Sequence, residues 1–203
     1  MNVIWLDLET TGLDPEKCGI IQIGMQIVVS GVVKATAQFL MNPVGKEIDS
    51  EALQVNGRIE KELAGFPLPD TTARELTNLW HPFVSEEKLV LAGYNIDRFD
   101  IPFLNVFLEE NLVVFSGYFS EQTIDLYRDL NVYEQAGFLS VPNRKLVTIA
   151  KSLGVNTEGA HDALEDVRIV RESAIILQKR YIAKKGVEDW RQRILGKTGE
   201  ING

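Results

Sequence analysis

The chain has 203 residues with 45% hydrophobic content, enough for one sizeable core, and no stretch reaches the roughly 18 apolar residues of a membrane span. A lone cysteine, Cys18, excludes an intramolecular disulfide and a cysteine-rich zinc site, and it fits a reducing compartment. The formal net charge of -8 argues against a protein that coats nucleic acid, because nonspecific affinity of that kind comes from Lys and Arg neutralising phosphates.

The start of the chain, Met1 to Asp7, has no basic leader and carries an acid inside its first apolar run. It reads as a strand of the mature fold and not as a signal or transit peptide, with a cytoplasmic location as the expectation. Residues 3–9, 20–29 and 32–40 are rich in β-branched side chains, and Ser30-Gly31 between the last two is a hairpin signal, so three consecutive antiparallel strands are expected. Asn42-Pro43 ends this run, and the stretch holding Gly57, Gly65, Pro67 and Pro69 reads as short helices and loops. Thr71 or Thr72 opens an amphipathic helix with Leu76, Leu79, Trp80 and Phe83 on one side. Residues 88–94 form a short strand, and residues 99–110 a helix with Phe103, Leu104 and Phe107 at helical spacing. Residues 123–130 start another element. Asn143 is placed to cap a helix over 144–153 that Gly154 closes, and the last long helix begins near Ala160 or Asp162 and runs to about Lys179. Three strands followed by alternating strands and helices predict one α/β domain, a mixed sheet with helices on its faces.

Chemistry concentrates in three distant places: Asp7 and Glu9, Asp100, and Asp166 five residues after His161. Strand side chains alternate with period two, so Asp7 and Glu9 project from one face. Thr10-Thr11-Gly12 follows at once, where hydroxyls and a glycine let a ligand approach the backbone, and Leu13 is a candidate to pack on a base. Between the two middle aspartates, Asp97 is expected as a helix N-cap and Asp100 as the ligand. Five helical steps set His161 and Asp166 roughly 140° apart, so they converge only if the helix starts just after His161. A histidine on that loop suits a general base, because imidazole titrates near neutrality. Four gathered carboxylates cannot all stay ionised without counter-charge, and two hard divalent cations, Mg²⁺ or Mn²⁺, would supply it. That is the chemistry of phosphodiester hydrolysis. His81, in Trp80-His81-Pro82, has no acidic neighbour in sequence and reads as structural.

Asp7-Leu8-Glu9-Thr10-Thr11-Gly12, Asn95 with Phe99-Asp100, and His161-Asp162-Ala163-Leu164-Glu165-Asp166 resemble the three motifs of the DEDDh 3′-to-5′ exonucleases, the superfamily of polymerase proofreading subunits. The resemblance spans residues 3–177. It implies a ribonuclease-H-like fold, two Mg²⁺ or Mn²⁺ ions, Asp7, Glu9, Asp100 and Asp166 as metal ligands, and His161 as base. Thr10, Thr11, Gly12, Leu13, Asn95 and Phe99 would then contact the substrate. Single-stranded 3′ ends are the expected substrate, DNA before RNA; the first motif, residues 5–16, is also similar to that of oligoribonucleases, which keeps an exoribonuclease as the alternative. A partner-binding role is a further expectation, with the tail 187–203 docking on a DNA polymerase or a repair protein. Lys179, Arg180, Lys184, Lys185, Arg191, Arg193 and Lys197 form a basic cluster that reads either as phosphate contacts or as a solvated helix end.

Overall fold

The computed structural model describes residues 1–84 and 87–195. In chain order its elements are β1 (Asn2–Thr10), β2 (Ile20–Val29), β3 (Val32–Leu40), α1 (Ser50–Val55), α2 (Glu60–Leu63) and α3 (Pro69–Trp80). There follow β4 (Leu89–Gly93), α4 (Asp100–Glu110), α5 (Phe115–Tyr118), β5 (Phe119–Asp125), α6 (Leu126–Gln135), α7 (Leu146–Leu153), α8 (Ala163–Lys185) and α9 (Val187–Trp190). The five strands form one sheet in the order β3-β2-β1-β4-β5. β1, β2 and β3 pair antiparallel, whereas β1 with β4 and β4 with β5 pair parallel. Ser30 and Gly31 turn β2 into β3, both at positive φ (51° and 81°), a backbone hand that matches strand twist.

β1 is central, and its alternation separates two cores. Val3 and Trp5 pack with residues of α6, α7 and α8, such as Leu130, Ile149 and Val170. Ile4, Leu6 and Leu8 pack on the opposite face with Leu76 and Trp80 of α3 and Phe103 and Leu104 of α4. Odd-numbered β1 residues therefore face α8. Asp7 and Glu9 continue that row past the end of the core, which aims both carboxylates at the start of α8.

Several boundaries differ from the sequence expectation. α3 begins at Pro69 and not at Thr71 or Thr72, because proline at the first helical position loses no hydrogen bond. Residues 123–130 are not one element: β5 ends at Asp125, whose side chain caps α6 by accepting the N–H groups of Tyr127 and Arg128. Asn143 does not cap α7; its side chain closes a turn on the Lys145 N–H, and Lys145 precedes the first helical residue. Gly154 does close α7, at φ 79°. α8 continues past Lys179 to Lys185, since Leu177 and Tyr181 extend its buried stripe. The start of the tail is part of the core: Trp190 is buried and donates its indole N–H to the Tyr133 hydroxyl at 3.2 Å, and Ile194 is buried beside it. Residues 196–203, including Lys197, lie outside the described residues. Among the described residues no helix is long and apolar enough to cross a membrane.

Candidate active site

The acids meet at the C-terminal end of β1. Two glycines make the approach possible. Gly24 of β2 lies opposite Asp7, and a Cβ there would stand 2.4 Å from the Ala163 carbonyl carbon, so only glycine lets the first turn of α8 rest on the sheet. Gly93 ends β4, where a Cβ would come within 2.6 Å of the Leu6 carbonyl oxygen and 2.3 Å of the Ile96 side chain. That close packing turns the chain at once from β4 toward α4.

Oxygens of Asp7, Glu9 and Asp166 lie within 4.8 Å of one another. Asp100 joins from α4. Its Oδ1 accepts the Leu8 backbone N–H at 2.9 Å, a donor left without a strand partner because the β1–β4 ladder ends at Trp5 and Ala92. One oxygen of Asp100 is thus fixed to the strand that carries Asp7 and Glu9. All four acids line one groove of about 450 Å³, together with Asn95, Phe99, Tyr94 and Tyr127.

Burial and mutual repulsion act on this cluster in the same direction. Asp7 is held well above the usual carboxylate range, first by burial and then by the charges of Asp100, Asp166 and Glu9. Burial, followed by Asp166 and Asp100, pushes Glu9 up to about 8. Burial raises Asp100 to about 7 against the opposing pull of the Leu8 N–H. Asp166 is also raised by burial, while the His161 N–H, which it accepts at 3.2 Å, pulls the other way. Acids that resist ionisation here become stable anions once a cation is bound, and an all-oxygen donor set suits a hard divalent ion. The residues fit a divalent-metal site.

The helix that presents Asp166 is fixed at its start. Asp162 caps α8, its Oδ1 accepting from Leu164 and Glu165, while its Oδ2 accepts the amide of buried Gln22 at 2.9 Å. Arg58 in turn donates to Gln22 at 2.9 Å and pulls the Glu9 carboxyl down. His161 precedes that cap, at φ 78° with its imidazole exposed. It therefore stands on the loop and not on the helix.

The remaining predicted residues have varied positions. Leu13 is 83% exposed, beyond the end of β1, and free to meet a ligand. Thr10 and Thr11 are buried, and their hydroxyls donate to the carbonyls of Gly12 and Glu47. Gly12 is required by Cys18, whose sulfur would lie 2.4 Å from a Cβ. These three residues shape the turn. Asn95 sits at φ 60° with its N–H bonded to Asp125, and the Phe99 ring lies 5.1 Å from that of Phe103. Asp97 is not an N-cap. α4 starts at Asp100, three residues later, and the Asp97 carboxylate instead reaches the Arg128 guanidinium at 2.6 Å and the Thr123 hydroxyl at 2.7 Å. His81 is exposed at the end of α3.

Sequence reasoning gave no role to Asp125, Gln22, Tyr94 or Tyr127, and gave Asp162 only as a possible helix start. Asp125 accepts the N–H groups of Asn95 and Asp97 and so fixes the loop leading to Asp100. An aspartate between a β-rich run and the apolar pattern of α6 is a helix-start signal that could have found it.

An exonuclease family model, RNase_T, matches residues 4–172. The DNA polymerase III subunit epsilon of Aquifex aeolicus (strain VF5) is 26% identical over 185 residues, which cover 91% of this chain and 84% of that protein. The oligoribonuclease of Baumannia cicadellinicola subsp. Homalodisca coagulata is 27% identical over 179 residues, 82% of this chain and 86% of that protein. Among solved structures, E. coli exonuclease I in complex with a dT13 oligonucleotide aligns with a TM-score of 0.77 at 19% identity, over 93% of this chain and 43% of that one. The chain thus spans about two fifths of the length of that structure and shares its ribonuclease-H-like fold.

Proposed function

The chain belongs to the RNase_T exonuclease family and carries a 3′-to-5′ exonuclease domain, and we propose that it removes nucleotides stepwise from the 3′ ends of single-stranded DNA. The observation that carries this reading is the meeting of Asp7, Glu9 and Asp166 within 4.8 Å, with Asp100 bonded to Leu8 beside them. These four residues would hold two Mg²⁺ or Mn²⁺ ions. When bound, the ions lower the pKa of a water and stabilise charge on the leaving oxygen.

The chain's own residues do the rest. His161, exposed on the loop before α8, accepts the proton of the attacking water on its imidazole. Water oxygen bonds to phosphorus as the bond from phosphorus to the upstream 3′ oxygen breaks; that oxygen takes a proton from solvent water to become the new 3′ hydroxyl, and a 5′-mononucleotide leaves. Leu13, exposed beyond the end of β1, packs on a base, and Asn95 and Phe99 line the groove. The turn built by Thr10, Thr11 and Gly12 fixes where Leu13 stands.

DNA is favoured by the relation to a DNA polymerase III subunit and by the fold shared with an oligonucleotide-bound exonuclease I. A ribonuclease reading keeps one specific support, the 27% identity to an oligoribonuclease over most of both chains. A polymerase or repair partner is part of the proposal on the same relation to polymerase III, and the cytoplasm is its proposed location. Digestion of matched 5′-labelled DNA and RNA oligomers with Mg²⁺, resolved by product size, tests the substrate. A ladder shortening from the 3′ end of DNA is expected; products from internal cleavage, or none, overturn the reading.

A further inference from the structure

Strand backbones carry charge that this acidic chain must meet somewhere, and the basic cluster at the end of α8 is badly placed to do it. Lys185 is 19 residues beyond Asp166 on one helix, about 28 Å away at 1.5 Å per residue. A second cavity, of about 360 Å³, adjoins the acidic groove, and the two share Asn95, Arg98 and Tyr127 as common wall.

Three arginines line this second cavity, and two of them are engaged. Arg128 pairs with Asp97 and Asp129. Arg144 bonds Glu134 and Asn131, with its guanidinium 6.0 Å from the centre of the Tyr127 ring. Of the two acids in the wall, Asp97 is neutralised by Arg128, and Asp125 faces backbone N–H groups. Arg98 differs. It is exposed, it lines both cavities, and its guanidinium forms no hydrogen bond or ion pair among the described residues.

The geometry points to a phosphate subsite: Arg98 receives a backbone phosphate of the substrate strand upstream of the scissile bond, where the strand leaves the acidic groove over Asn95 and Tyr127. A free guanidinium offers paired donors that match a phosphate, and it stands at the passage between the two cavities. The subsite rests on the exonuclease reading and adds to it. It makes Arg98 a substrate-positioning residue, and it makes the enzyme prefer strands long enough to carry that upstream phosphate.

Arg98→Ala and Arg98→Glu test it, since neither removes a contact that holds the fold. Two substrate types separate the possibilities: the p-nitrophenyl ester of thymidine 5′-monophosphate, which has one phosphodiester and nothing upstream, and 5′-labelled oligonucleotides of graded length. We expect KM for the longer oligomers to rise roughly tenfold or more, the loss of one charge-assisted contact, with kcat nearly unchanged. Ester hydrolysis should stay at the wild-type rate, and the salt slope of strand binding should fall by about 1. One neutral methylphosphonate linkage upstream should weaken wild type similarly and add nothing in Arg98→Ala. Unchanged KM for every oligomer, or equal loss on ester and oligomers, overturns the subsite while leaving the exonuclease intact. A wild-type protein that cleaves neither substrate with any divalent cation overturns both.

Discussion

Asp100 and Leu8 are 92 residues apart in sequence, yet the Asp100 carboxylate accepts the Leu8 backbone N–H at 2.9 Å. The bond ties α4 to β1 at the point where the β1–β4 ladder stops, so a single side chain both satisfies a buried backbone donor and stands as a proposed metal ligand. Asp100→Asn keeps an acceptor for that donor and loses the charge; Asp100→Ala loses both. Both variants should be inactive. In metal-free thermal unfolding, Asp100→Ala should be the less stable of the two by about 1–3 kcal/mol, the cost of an unsatisfied buried group. Equal stability would mean that the Leu8 bond contributes nothing to the fold.

The metal-free protein should lose stability as pH rises. Glu9 is pushed from 4.5 to about 8 and Asp100 from 3.8 to about 7, both first by burial. A carboxyl that binds its proton more tightly folded than unfolded stabilises the fold below its unfolded pKa, and that contribution disappears as pH passes the folded value. Thermal unfolding in EDTA should therefore show Tm falling between about pH 5 and pH 8. Mg²⁺ or Mn²⁺ should restore it most at the alkaline end, and calorimetry near neutrality should record protons released on metal binding. A Tm in EDTA that climbs across this interval contradicts the cluster's electrostatics.

Asp97 and Asp100 can be told apart by substitution. Asp97→Ala removes one of the two acidic partners of Arg128, leaving Asp129, and removes the acceptor of Thr123, at an expected cost of about 1–3 kcal/mol, without removing one of the proposed ligand oxygens. It should bind Mg²⁺ with near wild-type affinity and keep activity within roughly tenfold, while Asp100→Ala has none. Near-normal turnover by Asp100→Ala beside an inactive Asp97→Ala would reverse the assignment.

The outcome at these two residues shows what sequence can and cannot convey. Period-two alternation in β1 is local, so the shared direction of Asp7 and Glu9 is legible from four residues of chain. The meeting with Asp166 is not, because it depends on Gly24 leaving room for α8 and on Gln22 holding Asp162 from another strand. The Asp97 cap fails for a related reason: local spacing allows it, but the opposing cation stands on α6, 31 residues away. Asp125 is hidden because a strand and a helix meet at it, and neither period extends across the junction. The order of the three motifs conveys the fold that such long-range contacts obscure.

Truncation should show whether Trp190 and Ile194, buried at the start of the tail, hold the fold of the chain. Ending it before Val187 removes both buried side chains and should cost about 3–5 kcal/mol or more. An unchanged melting curve for the truncation product would show that the Trp190 packing does not hold the fold.

His161 has the most separable signature, because a base and a ligand fail differently. A base must be neutral to accept the water's proton, so the wild-type single-turnover rate should rise with pH and then level off. His161→Ala should lose that rise and fall in rate by roughly 10²-fold to 10⁴-fold. Its backbone N–H still bonds Asp166, so Mg²⁺ affinity should be preserved. Binding of a labelled strand in Ca²⁺, whose looser coordination supports binding better than cleavage, should also be unchanged. A variant that loses metal affinity in calorimetry while its residual rate keeps the wild-type pH profile would make His161 a ligand or a scaffold residue, and the proton would have to leave by another route.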